Sequence, residues 1–179
     1  SLALGSLLSW RFLSDLISKD FDANSPRLAN FDRIVLGVVL LAAVLRFYGL
    51  TFGLPHHFHP DEIPKVNAVM RMRDQGTLDP QYFLHPSVLL YSTYAMNIFL
   101  QLFNLGYEFR DSAFIAGRIV SALAGTFSVL LTYLIAKRIF DRKTGLMSAI
   151  LLAVFPLHVT CSRYLKEDAL LTFFILLSI

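Results

Sequence analysis

Apolar residues form long continuous runs along this chain, and the charged residues collect between them. As a helix rising 1.5 Å per residue, a run of about twenty residues covers the roughly 30 Å hydrocarbon core of a bilayer. The pattern therefore predicts an all-α, multi-pass membrane protein. Its spans are expected at about 31–50, 113–136 and 145–162, with a fourth, incomplete span at 169–179.

Residues 1–30 have a different pattern, in which apolar positions recur at helical spacing between Arg11, Asp15 and Lys19. This predicts an amphipathic, cytoplasmic segment that ends before Pro26. At the other end, the apolar run that begins at Ala169 is unfinished at Ile179, so we expect the chain to be the N-terminal part of a longer protein.

The stretch 86–105 is long enough to span, and topology decides its placement. Four polar residues follow one another along it at helical spacing: Thr93, Asn97, Gln101 and Asn104. If this stretch stays outside the membrane, the basic residues of 137–143 fall on the cytoplasmic side with the N-terminus, as the positive-inside rule requires. Residues 51–112 then form one outer loop with juxtamembrane helices at about 62–75 and 86–105.

Composition supports a membrane protein and excludes several other classes. Of the residues, 55% are hydrophobic and 16% charged, with a mean hydropathy of +0.57. The net charge is +3, but the basic residues gather at the ends of apolar runs, which argues against nucleic-acid binding. A single cysteine, Cys161, excludes an internal disulfide. The absence of CxxC and HExxH patterns argues against a structural or protease-type zinc site.

The first candidate cluster is His59-Pro60-Asp61-Glu62, directly after the first predicted span. Asp61 has a purely structural interpretation as the N-cap of the helix that follows. Alternatively, a carboxylate partly shielded from water has a raised pKa and acts as a general base. His59 and the later His85 are candidates for substrate or metal contact.

The second candidate cluster runs from Arg163 to Asp168, directly before the fourth predicted span. Acidic residues at a helix start suit the helix dipole, which is the structural interpretation. In the functional one, Glu167 or Asp168 binds a metal or orients a substrate, while Arg163 or Lys166 binds a phosphate. Both interpretations stay open.

Arg118 lies about one turn inside the second predicted span, where a charge is costly without a partner. A phosphate at the outer leaflet would serve as that partner. On the same helix Gly117, Ser121 and Gly125 form a stripe of small residues that predicts close packing of another helix. Arg46 is expected to extend to the outer membrane surface.

Several short motifs stand in a characteristic order: "LRFYGL", "FHPDE", "LHPSVLLY", "AGRIVSALAGTFSVLLTYLIAKRIFDRKTG" and "LLAVFPLHVTCSRYLKEDALLTFF". Over residues 31–179 they resemble the N-terminal half of the catalytic module of GT-C fold glycosyltransferases, especially protein O-mannosyltransferases and aminoarabinose transferases. Two positions depart from that pattern. His85-Pro86-Ser87 replaces a Pro-Pro or Lys-Pro pair, and Lys166-Glu167 precedes Asp168, which leaves open which carboxylate is functional.

The resemblance implies transfer, with inversion, of a sugar from a polyprenyl-phosphate carrier to a protein, lipid or glycan acceptor at the outer face of the plasma membrane. It implies that Asp61 is catalytic with Glu62 beside it, and that Arg118 offsets charge on the lipid phosphate. Asp168 would act with a divalent cation. The rival classes are a transporter, which usually shows internal repeats that are absent here, and a non-catalytic membrane assembly subunit.

Overall fold

A computed structural model describes residues 26–56, 59–103 and 108–179, which form seven α-helices and no strand. The helices are α1 (Pro26–Phe47), α2 (Glu62–Asp74), α3 (Val88–Leu102), α4 (Phe109–Ile139), α5 (Arg142–Val154), α6 (Pro156–Cys161) and α7 (Glu167–Leu177). The all-α prediction is confirmed for these residues. The amphipathic segment predicted before Pro26 lies outside the described residues.

Helix α4 is the centre of the fold and contacts each of the other six helices. Its 31 residues extend over about 46 Å at 1.5 Å per residue. Within the described part of the chain, it is the one helix that is long and apolar enough to cross a membrane by length and composition. The other spans, and hence a multi-pass arrangement, stay predictions.

The run predicted as one span over 145–162 is divided into α5 and α6 at Phe155. Pro156 has no N–H group, so the carbonyl of Leu152 loses its normal helical partner. The guanidinium of Arg46 replaces it, donating to the carbonyl oxygens of Leu152 and Ala153 at 3.1 Å each. Arg46 is fully buried, so the prediction that it extends to the membrane surface is wrong.

The polar stripe of α3 faces α4. Thr93 and Asn97 are fully buried, and Asn97 Nδ2 donates to the carbonyl of Phe109 at 3.2 Å. Ser112 Oγ donates to Asn97 Oδ1 at 2.6 Å, and Gln101 Nε2 donates to Ser112 Oγ at 2.7 Å. Asn104, the fourth residue of the stripe, lies outside the described residues. Leu89 and Leu90 of α3 are buried in the core, whereas Ile98, Phe99 and Leu102 are exposed, as on a helix that borders lipid.

The small-residue stripe of α4 packs mainly against a loop, the segment 162–166 between α6 and α7, and at Gly125 also against Arg46 of α1. A Cβ on Gly117 would overlap the side chain of Leu165, and a Cβ on Gly125 would overlap Ser162. Between them, Ser121 Oγ donates to the carbonyl of Lys166 at 3.3 Å. The stripe thus lets the 162–166 loop lie directly on the central helix.

Gly117→Ala should destabilise the protein, because its methyl group would displace the fully buried Leu165. Overpacking of this kind costs about 1–3 kcal/mol, so the thermal unfolding midpoint should fall. Gly37→Ala is the matched control, since a Cβ there meets nothing within 4 Å. Equal midpoints for the two variants would contradict the packing described here.

Candidate active site

A buried ion pair joins α2 to α4. Arg118 Nε and Nη2 donate to Glu62 Oε1 and Oε2 at 2.9 and 2.6 Å, and both residues are buried. Arg118 Nη1 donates to the carbonyls of Leu50 and Phe52 at 2.7 and 2.8 Å. These bonds use four of the five N–H groups of a guanidinium. Arg118 and Glu62 are therefore bonded to each other, which favours a structural role for both, while the predicted phosphate contact of Arg118 and the catalytic role of Glu62 stay predictions.

The backbone of Leu165 is bonded to α2 on both sides. Its N–H donates to Glu62 Oε1 at 2.8 Å, and its carbonyl accepts from Lys65 Nζ at 3.1 Å. The ammonium of Lys65 also donates to Glu167 Oε2 at 2.9 Å, and Lys65 is only 2% exposed. Lys65 was absent from the sequence-based candidates. Its spacing of three from Glu62, which puts both residues on one helix face, was the available signal.

Asp61 occupies the N-cap position of α2, yet its side chain makes no capping hydrogen bond. The carboxylate is 55% exposed and lies 3.2 Å from Lys166 Nζ. The hydrogen bond from Lys166 lowers the pKa of Asp61, and the charges of Lys166, His59 and Lys65 act in the same direction. The prediction of a raised pKa is therefore wrong. Asp61 is an ionised carboxylate at neutral pH, open to solvent.

A cavity of about 280 Å³, here the carboxylate cavity, brings the two acidic clusters together. Its lining residues are Pro60, Asp61, Pro64, Lys65, Tyr82, Leu84, His85, Lys166, Glu167 and Asp168. Five of the candidates named from the sequence therefore share one cavity. If residues 86–105 stay outside the membrane, the predicted spans leave both clusters on the same face of the membrane, and the shared cavity is consistent with that topology.

Tyr82 is a lining residue that the sequence analysis missed. Its loop is fixed by Arg71, whose Nη2 donates to the carbonyls of Pro80 and Gln81 at 3.1 and 3.3 Å. Burial raises the pKa of Tyr82, and the negative charges of Glu167 and Asp61 raise it further. The phenol is therefore protonated at neutral pH and can donate a hydrogen bond into the cavity.

A second cavity of about 340 Å³, here the arginine cavity, is lined by Gly49, Phe52, Arg118, Thr160, Arg163 and Tyr164. Arg163 is half-buried, and its Nη2 donates to the carbonyl of Tyr48 at 2.8 Å. Gly49 has a φ of +71°, and a Cβ there would lie 3.1 Å from Arg163 Nη2. No carboxylate of the described residues pairs with Arg163, so the cavity presents a cation.

The 162–166 loop supplies Arg163 and Tyr164 to the arginine cavity and Lys166 to the carboxylate cavity, and it contacts segment 59–62 directly. The rings of His59 and Tyr164 lie 4.4 Å apart between their centroids. Lys166 pairs with Asp61, and the N–H of Leu165 bonds to Glu62. Three contacts in succession thus join the loop after α1 to the loop before α7.

The predicted metal ligands His59, Glu167 and Asp168 are not assembled. His59 packs on Tyr164, Glu167 pairs with Lys65 and lies 3.8 Å from His85 Nδ1, and Asp168 is exposed. Over the described ranges, no group of three or more His, Cys, Asp or Glu side chains is placed to hold a metal ion.

Comparison with known proteins identifies the family. Residues 85–179, more than half of the chain's 179 residues, match the family described as Dolichyl-phosphate-mannose-protein mannosyltransferase. The chain belongs to this family. Its members are membrane glycosyltransferases of the GT-C type, so the resemblance inferred from the motifs is confirmed. The match includes α3 to α7 and the acidic residues Glu167 and Asp168, but it begins after Asp61.

The chain is also similar to an uncharacterized protein of Aquifex aeolicus (strain VF5). The two are 36% identical over 77 residues, which are 42% of this chain and 15% of that protein. The chain therefore spans a small part of the length of that relative. No solved structure matches.

Arg118→Met should strongly destabilise this mannosyltransferase family member, because it leaves the Glu62 carboxylate buried without a counter-charge. Removing one partner of a buried pair costs about 3–5 kcal/mol. Adding Glu62→Gln should recover part of the loss, since the amide is neutral and its oxygen still accepts from the N–H of Leu165. Thermal unfolding of both variants checks this. A double variant no more stable than Arg118→Met would contradict it.

Proposed function

We propose that the protein transfers a sugar from a polyprenyl-phosphate carrier to an acceptor at the outer face of the plasma membrane. The observation that carries the proposal is the placement of Asp61. This carboxylate has an N-cap position without a capping bond, and it opens into a cavity with Asp168. The loop that supplies Lys166 to this cavity also supplies Arg163 to the cationic arginine cavity. The family to which the chain belongs supports this chemistry.

Asp61 is the general base of the proposed reaction. It takes a proton from the acceptor's hydroxyl or amine group, whose lone pair forms the new bond to the anomeric carbon. The bond between that carbon and the phosphate oxygen breaks, its electron pair stays on the phosphate, and the configuration inverts. The ionised state of Asp61 suits this role, because a base must be unprotonated before it accepts a proton.

Arg163 replaces Arg118 as the proposed ligand of the donor phosphate. Arg118 is used by Glu62 and by two carbonyls, whereas Arg163 has one protein hydrogen bond to Tyr48 and lines the arginine cavity. A guanidinium offers paired donors to phosphate oxygens and offsets charge that builds on the leaving group. Lys166 belongs to the same loop as Arg163, and its ammonium can pair either with Asp61 or with the donor phosphate.

The two carboxylates before the fourth apolar run have different proposed roles. Glu167 is the counter-ion of the buried Lys65, so its role is structural. Asp168 is exposed, lines the carboxylate cavity beside the Cys161 thiol with which it hydrogen-bonds, and is placed to orient a sugar or acceptor. The described residues do not fit a metal ion held by protein side chains alone, and no step proposed here passes through one.

Transport is the second candidate function, and one observation favours it. The break between α5 and α6 at Phe155 is the kind of interruption that transporters use to bind ions. In this chain, however, the carbonyls of Leu152 and Ala153 at the break are already occupied by Arg46. Measuring binding of a polyprenyl-phosphate sugar separates the two functions.

Asp61→Asn should abolish sugar transfer, because an amide cannot accept the proton. Loss of a general base costs typically 10²–10⁴-fold in kcat, roughly the size expected here. The measurement is transfer from a polyprenyl-phosphate sugar by the protein at its full natural length. Asp74→Asn, at the exposed end of the same helix, is the control and should turn over normally. Undiminished turnover by Asp61→Asn would show that Asp61 is not the general base.

Arg163→Met should weaken donor binding, because it removes the cation of the arginine cavity. A charge-assisted bond contributes about 1.5–3 kcal/mol, which corresponds to roughly a 10- to 100-fold rise in the Kd for a polyprenyl-phosphate sugar. Arg110→Met, an exposed site away from both cavities, should leave the Kd unchanged. If the two variants bound the donor equally well, Arg163 would not be its ligand.

A further inference from the structure

We infer that Lys65 is a positioning residue for sugar transfer, acting through its hydrogen bond to the Leu165 carbonyl. The inference rests on the proposed function, since it concerns the geometry of the same cavity. Lys65 lines that cavity but is almost wholly buried, so it touches the substrate little. Its contacts are with the loop that bears the cavity's other charged groups.

The burial of Lys65 fixes the ammonium tightly. Its Nζ lies 2.9 Å from both Glu167 carboxylate oxygens and donates to the carbonyl of Leu165 at 3.1 Å. A buried ammonium without such partners would be strongly unfavourable. The side chain is therefore confined to one position, and the groups it bonds are confined with it.

Those bonds set the register between α2 and the start of α7. Glu62 and Lys65, one helical turn apart, bond the N–H and the carbonyl of the Leu165 peptide. The next residue, Lys166, contacts Asp61 at 3.2 Å, and Glu167 begins α7. A shift of the 162–166 loop along α2 would therefore move Lys166 and Asp168 relative to Asp61.

The fold alone does not require a charged pair at this place. Replacing a buried ion pair by neutral side chains of similar size is often neutral or stabilising. A catalytic arrangement is less tolerant, because a misplacement of 1 Å costs about 100-fold in rate. A neutral pair at 65 and 167 should thus separate stability from catalysis.

The test compares Glu167→Gln with the double variant Lys65→Met/Glu167→Gln at full natural length. Glu167→Gln removes the counter-ion of Lys65 and should lower the unfolding midpoint, but its amide oxygen can still accept from the ammonium. It keeps the Lys65 bond to the Leu165 carbonyl, so the kcat of the folded variant should stay within about threefold of wild type. The double variant leaves no uncompensated charge, yet its kcat should fall roughly 10- to 100-fold with the donor KM unchanged. Thermal unfolding confirms that both variants fold.

Equal kcat values for these two variants would overturn the inference, as would a fall that appears only in KM. If the double variant does not fold, Lys65→Arg decides, because arginine keeps the cation and donors for both partners. A kcat within about threefold of wild type supports the inference, and a fall beyond about tenfold overturns it. Wild-type transfer that is lost in Asp61→Asn tests the proposed function separately.

Discussion

The buried pair of Glu62 and Arg118 is the contact on which the arrangement of the cavities depends. It joins α2 to the central helix, and through Leu50, Phe52 and the N–H of Leu165 it also fixes the loops after α1 and before α7. Four chain segments distant in sequence are thus bonded around two side chains. Such a pair is strong because the alternative, a lone charge in an apolar interior, is so unfavourable.

The same contact explains why two adjacent carboxylates differ in role. Successive residues of a helix point about 100° apart, so when Glu62 faces the interior Asp61 cannot. Asp61 is left at the helix start, uncapped and exposed, facing Lys166. The bonds of Glu62 to Arg118 therefore fix the backbone at Asp61 without using the oxygens of the Asp61 carboxylate. These oxygens stay exposed and can accept a proton.

Helical period and proline positions predicted much of the fold, including the start of α2 at residue 62 and the central helix. Pro156 within an apolar run was also a signal for the helix break at Phe155. That Arg46 would bond to the carbonyls freed at this break could be seen only in the structure. The predicted topology put the two acidic clusters on one side of the membrane, which stays a prediction, and the structure brings them to one cavity. Sequence could not show which carboxylate or arginine pairs internally, because that depends on rotations and distances between segments far apart in the chain.

The pairing of charges distinguishes side chains that hold the fold together from side chains that can contact a substrate. Arg118 is compensated by Glu62, with both side chains buried, and the buried Lys65 is compensated by the partly exposed Glu167. Within the described residues, Arg163 and Asp168 have no opposite charge bonded to them, and the pair of Asp61 and Lys166 lies open to solvent. A phosphate ester and a nucleophile need these groups: a cation for the leaving oxygens and a carboxylate for the proton. Because the loop that supplies the cation Arg163 also contacts the carboxylate Asp61 through Lys166, the two ends of the bond being exchanged can each meet a charge of the appropriate sign.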